Sequence, residues 1–110
     1  MIHELKIKEK YFKDIVYGRK KFEVRKNDRN FKVGDLLALN EIRDDGSYTD
    51  NCVLLKVKYL LDDPDYCKEG FVVMGLSVPI YQETVHLRTT GRKEEKDEQA
   101  SSKEKTEKAD

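Results

Sequence analysis

GRKKFEVRK, residues 18 to 26, is the stretch on which the reading of this chain turns. Phe22 and Val24 alternate with Lys21, Glu23 and Arg25, the period-two pattern of a β-strand with one apolar and one polar face. A strand is expected from about Lys20 to Lys26, with Phe22 and Val24 turned into the core and Lys21, Glu23 and Arg25 forming the opposite row. Gly18 stands just before it, where a left-handed residue would end a preceding helix. That helix is written in Glu9 to Tyr17, which places Phe12, Ile15 and Val16 at i, i+3 and i+4.

Working outward, His3 to Lys8 alternates Leu5 and Ile7 with lysines and reads as a half-buried strand. Downstream, the turn-forming run Asn27 to Asn30 breaks the chain, and Phe31 and Val33 are expected to re-enter the core. Leu36 to Ile42 and Cys52 to Leu61 read as strands joined through an Asp45-Gly46 hairpin signal. Asp62-Asp63-Pro64-Asp65 stops the second of these, and Phe71 to Val78 is the last strand before Pro79. The order is strand, helix, then four strands. Such an order excludes a doubly wound parallel sheet. It predicts an α+β, mostly β domain: a curled sheet or small β-barrel of about five strands, with one helix between strands 1 and 2.

Composition limits the folded part. The chain has 110 residues, but residues 92 to 110 hold no aromatic side chain and no aliphatic one larger than Ala. Such a segment cannot offset the entropy of ordering. The expectation is one domain over residues 1–84 and a charged, disordered tail over 85–110. The formal net charge is zero, yet residues 19 to 32 carry seven basic groups against two acidic ones. This basic segment points to an anionic partner, or else to a lysine-rich strand edge that blunts unwanted pairing. Cys52 and Cys67 lack the spacing of a metal site or a disulfide framework, and no metal or other cofactor is expected. No apolar run approaches a membrane span, so the expected setting is the cytoplasm, with reduced thiols, a monomeric chain and no membrane partner.

HELKI at residues 3 to 7, the run from Gly18 to Asp35, Glu41, and Tyr48-Thr49 resemble the DUF3850 group of ASCH domains, within the PUA-like superfamily. The ASCH signature corresponds here to Gly18, Lys20, Glu23 and Arg25, and Asp50-Asn51 stands where the DUF3850 pattern carries Gly and a basic residue. The resemblance implies a small PUA-like barrel with a cleft beside the first helix and a role in RNA binding.

The residues themselves fit that implication. Arg25 offers a planar fork of donors for a phosphate or base edge, Lys20 and Lys21 add compact charges, and Glu23 can accept from an exocyclic amine. Lys26 and Arg29 are further candidates for phosphate contact, and Tyr48 and Tyr59 for base stacking. The plain alternative is an exposed ion-pair ladder of little energetic weight. The expected partner is therefore RNA or a nucleotide-like ligand. The rival is a small enzyme acting on modified nucleosides or RNA, as an amidohydrolase or ribonuclease. Similar ASCH proteins hydrolyse N4-acetylcytidine with a Lys and, three residues on, a Thr nucleophile. Here Lys20 is followed by Glu23, and a carboxylate is a far weaker nucleophile, so the balance is against that enzyme and no catalytic residue is assigned.

Overall fold

The computed structural model describes residues 1–85. The tail expected from residue 85 therefore lies, Val85 apart, outside the described residues. The elements run β1 (Ile2–Lys8), α1 (Glu9–Val16), β2 (Phe22–Lys26), β3 (Leu36–Ile42), β4 (Tyr48–Leu61), β5 (Phe71–Leu76) and β6 (Tyr81–Glu83). The predicted helix and strands are present, with ends shifted by a few residues. The short β6 is additional.

The six strands form a sheet of order β1-β3-β4-β5-β2, with β6 also on β4. β1 and β3 are parallel, Ile2 opposite Leu36 and Lys8 opposite Ile42, and the other ladders are antiparallel. β6 continues the path of β5 along the same antiparallel course of β4. Ser77 N–H donates to Lys56 O at 2.9 Å and Ile80 N–H to Leu54 O at 2.7 Å. Pro79, which has no N–H to give, lies in the break between them.

One face of the sheet and α1 enclose the core: Leu5 and Ile7 of β1, Phe12 and Ile15 of α1, Leu37 and Leu39 of β3, Val53, Leu55 and Val57 of β4, Val72 and Met74 of β5, and Phe31 from the segment between β2 and β3. Burying each of the larger side chains contributes about 1.5–3 kcal/mol. α1 ends as its sequence predicts. Gly18 takes φ +80°, Arg19 N–H and Lys20 N–H donate back to Asp14 O at 2.8 and 2.9 Å, and the chain reverses into β2.

Two expectations fail on the inward–outward question. Val33 is 61% exposed and does not enter the core, whereas Phe31 does. In β2 the faces are inverted: Phe22 and Val24 are 46% and 52% exposed, while Glu23 is only 4% exposed. Alternation divides a strand into two faces but does not say which is inside. Here Glu23 lies opposite the fully buried Met74 on the inner face, and the cations beside it compensate its burial.

The expected closed barrel is not formed. β1 and β2 stand at the two ends of the strand order, and no backbone ladder joins them. Arginine side chains bridge the seam instead. Arg25 Nη2 donates to Lys6 O at 2.7 Å, and Arg29 Nη1 donates to Glu4 O at 3.0 Å. Two carbonyls of the β1 edge thereby gain partners without a neighbouring strand.

Candidate functional site

A cleft of about 500 Å³ opens at this seam, within the range of small-molecule sites. Its walls are Lys6, Ile7 and Lys8 of β1, Tyr11 of α1, Lys20 from the turn, and Phe22, Glu23, Val24 and Arg25 of β2. The helix C-cap sets the geometry, because the reversal at Gly18 brings Lys20 over the start of β2. Lys20 Nζ donates to Phe22 O at 2.7 Å and pairs with Glu23 Oε1. Arg25 Nε donates to Glu23 Oε2 at 2.8 Å. The buried carboxylate is thus held between two cations, one on each oxygen, and an ionised carboxylate keeps further lone pairs with which to accept. Lys20 Nζ also lies 4.9 Å from the Phe22 ring centroid and 5.6 Å from that of Tyr11. Aromatic surface and positive charge therefore sit together at the mouth.

The candidate residues divide between this cleft and other places. Lys20, Glu23 and Arg25 are brought together. Lys21 is exposed beside Phe22, Lys26 ends β2, and Arg29 is engaged with the β1 edge; none of these lines the cleft. Tyr48 is also outside it, with Lys6 Nζ 5.8 Å from its ring centroid. Sequence reasoning missed Lys6, Lys8 and Tyr11. Their signal was present in the polar half of the β1 alternation and on the first turn of α1, but only the curl of the sheet carries β1 up to β2.

A second polar cluster is buried under the β3–β4 hairpin. Thr49 and Asn51 face inward in step with Val53, and between Asn40 opposite Cys52 and Ile42 opposite Tyr48 one β3 residue, Glu41, faces three of β4, a bulge that sets both of them against it. Thr49 Oγ1 donates to Glu41 Oε1 at 2.7 Å and Asn51 Nδ2 donates to the same oxygen at 2.9 Å. Asp50, between them, is exposed and takes φ 72°. That is the backbone region glycine adopts at no steric cost.

Residues 2–76 match the sequence model of the family described as a domain of unknown function, DUF3850. The chain belongs to the DUF3850 family. The match takes in β1 to β5 and every residue of the cleft. The chain is also 34% identical over 86 residues, covering 78% of each protein, to one from Escherichia phage P2 described as an uncharacterized 12.9 kDa protein in the GpA 3′ region. Among the described residues of this DUF3850 protein no helix is long and apolar enough to cross a membrane.

Proposed function

We propose that this DUF3850 domain is an ASCH-type, PUA-like module that binds RNA or a nucleotide-like ligand in the β1–β2 cleft, as a monomer in the cytoplasm. The observation that carries the reading is the buried Glu23 carboxylate held by Lys20 and Arg25 at a cleft with aromatic and lysine walls. A nucleotide needs opposite chemistries at its two ends. Glu23 supplies an acceptor for an exocyclic amine, the Tyr11 and Phe22 rings supply apolar surface for a base, and Lys6 and Lys8 supply charge for phosphate. Glu23 stands where the related hydrolase carries its threonine, which favours binding over amide hydrolysis in this chain.

The test is titration of the full chain with AMP and with the labelled RNA octamer rA8 at several salt concentrations. Lys6→Ala and Lys8→Ala are the informative variants, since both residues are exposed and neither bridges the seam. Each is expected to weaken rA8 binding and to reduce the salt slope by about 0.7 per lost phosphate contact. Absence of salt-sensitive binding to either probe at low salt sinks the reading. Turnover of acetylated nucleosides by the wild type would favour the enzyme instead.

A further inference from the structure

The inversion of β2 leaves an apolar row on the outside of the sheet. Phe22 pairs with Gly75 on one side, and Tyr59 pairs with the same Gly75 on the other. Both rings are on the outward face, Tyr59 being 65% exposed. A Cβ added at position 75 would lie 3.4 Å from the Cβ of Tyr59, so glycine keeps a low saddle between the two aromatics. Two inter-strand steps separate their backbones by about 9–11 Å. The cation next to each ring in sequence, Lys21 or Lys58, is exposed and takes part in no salt bridge among the described residues.

From this arrangement we propose that the Phe22–Gly75–Tyr59 row is a stacking platform for bases of a single-stranded nucleic acid that continues out of the cleft. The inference rests on the cleft reading given above. Phe22 belongs to both surfaces, since it lines the cleft and opens the row, so the path from one to the other is unbroken. The two exposed rings give single-strand binding its flat surface for bases, and Lys58, exposed next to Tyr59 at the register shift of β4 and in no salt bridge among the described residues, offers charge for the backbone. Two other occupants fit less well. A second copy would have to bury Lys58 against a like-charged surface or beside its own apolar row. The chain's own residues 92 to 110 carry no apolar side chain larger than Ala with which to cover two rings.

The experiment compares full-length wild type with Tyr59→Ala, Tyr59→Leu and Tyr59→Phe, using fluorescence anisotropy with labelled rA8 and dA8 and calorimetry with AMP. Tyr59→Leu still covers Gly75, so it separates loss of the ring from loss of packing, and thermal melts identify any unfolded variant. Both Tyr59→Ala and Tyr59→Leu should weaken octamer binding roughly 5- to 150-fold, Tyr59→Phe should not, and AMP affinity should stay within about twofold in all of them. An equal loss with rA8 and dA8 supports stacking indifferent to the sugar, and a loss confined to rA8 supports an RNA platform. AMP binding with octamer affinity unchanged by Tyr59→Leu overturns the platform and spares the cleft. Octamer binding that depends on Tyr59 in a protein that does not bind AMP supports the platform and removes the cleft reading. No binding of any probe overturns both. If Tyr59→Ala instead dissociates a dimer in sedimentation while rA8 affinity is unchanged, the row is a self-association surface and the proposal falls.

Discussion

Replacing Arg25 with Ala tests whether one side chain both closes the seam and compensates the buried carboxylate. It removes the 2.8 Å bond from Nε to Glu23 Oε2 and the 2.7 Å bond from Nη2 to Lys6 O. A hydrogen bond to a charged group contributes about 1.5–3 kcal/mol. Two considerations hold the sum toward the lower end. The Arg25 side chain is 24% exposed, so water screens part of the interaction, and Glu23 retains its pair with Lys20. The loss is therefore smaller than the full penalty of orphaning a buried charge beside a second lost bond, and we expect about 2–4 kcal/mol in total. That is a large share of the stability of a small domain, roughly 0.05–0.15 kcal/mol per residue.

Urea denaturation of the full chain, followed by circular dichroism, reads this out. With a denaturant slope of about 2 kcal/mol per molar, Arg25→Ala should lower the midpoint by about 1–2 M. Adding Glu23→Gln should then cost less than it does in the wild type, because the charge that Arg25 compensated has gone. The coupling should lie within about 0.5–3 kcal/mol. A midpoint shift of less than about 0.3 M, or additivity within about 0.5 kcal/mol, would refute the account of the seam.

Four further outcomes follow from other parts of the structure. If β2 faces outward as described, Val24→Ser should change stability by about 0.5 kcal/mol or less in urea melts. Met74→Ala, on the inner face of the adjoining strand, should cost about 2–5 kcal/mol. Asp35 is hydrogen-bonded to His3 Nε2 at 2.8 Å, and this bond, chiefly, holds its carboxyl below the usual carboxylate range, with the Lys32 backbone N–H and the N-terminal ammonium acting the same way. Because the folded-state value is the depressed one, the stabilisation is complete above the unfolded value. It is lost as pH falls through the folded one, so Asp35→Asn should flatten the acid limb of a plot of melting temperature against pH. Asp50→Gly should leave the fold intact and stabilise it by up to about 1 kcal/mol in the same melts, since the residue already takes φ 72° and its side chain is exposed.

Element positions were legible in the sequence because they depend on local signals. Gly18 ends α1 with φ +80°, and the Asp45-Gly46 turn closes with Gly46 N–H on Arg43 O at 2.8 Å and Ser47 N–H on the Asp45 carboxylate at 2.9 Å. Which face of β2 lies inside was not legible. Phe22 and Val24 are more apolar than Glu23, and the outcome was set by nonlocal partners: Lys20 carried in by the helix cap, and Arg25 anchored on a β1 carbonyl. The buried trio Glu41, Thr49 and Asn51 was hidden for a related reason. Only the bulge between β3 and β4 aligns two β4 side chains on one carboxylate oxygen.

The seam also changes what the basic stretch from 19 to 32 can offer a ligand. Counted along the chain, its seven cations against two acids look like one electropositive surface. In the fold, each of the three arginines already commits one or two of its N–H groups within the protein. Arg19 Nε donates to Asp14, Arg25 to Glu23 and Lys6 O, and Arg29 to Glu4 O, while Lys20 is held on Glu23. Lys21, Lys26 and Lys32 remain exposed and outside any salt bridge among the described residues. An ammonium is a compact charge without the planar fork that matches a base edge or grips a phosphate bidentately. On the proposed reading, the lysines would attract and position a polyanion, and discrimination between ligands would fall to the cleft. There Glu23 presents its remaining acceptor sites in an orientation fixed by Lys20 and Arg25. A carboxylate held by both of its oxygens is preorganised, so a ligand amine that reaches it loses little to reorganisation of the protein.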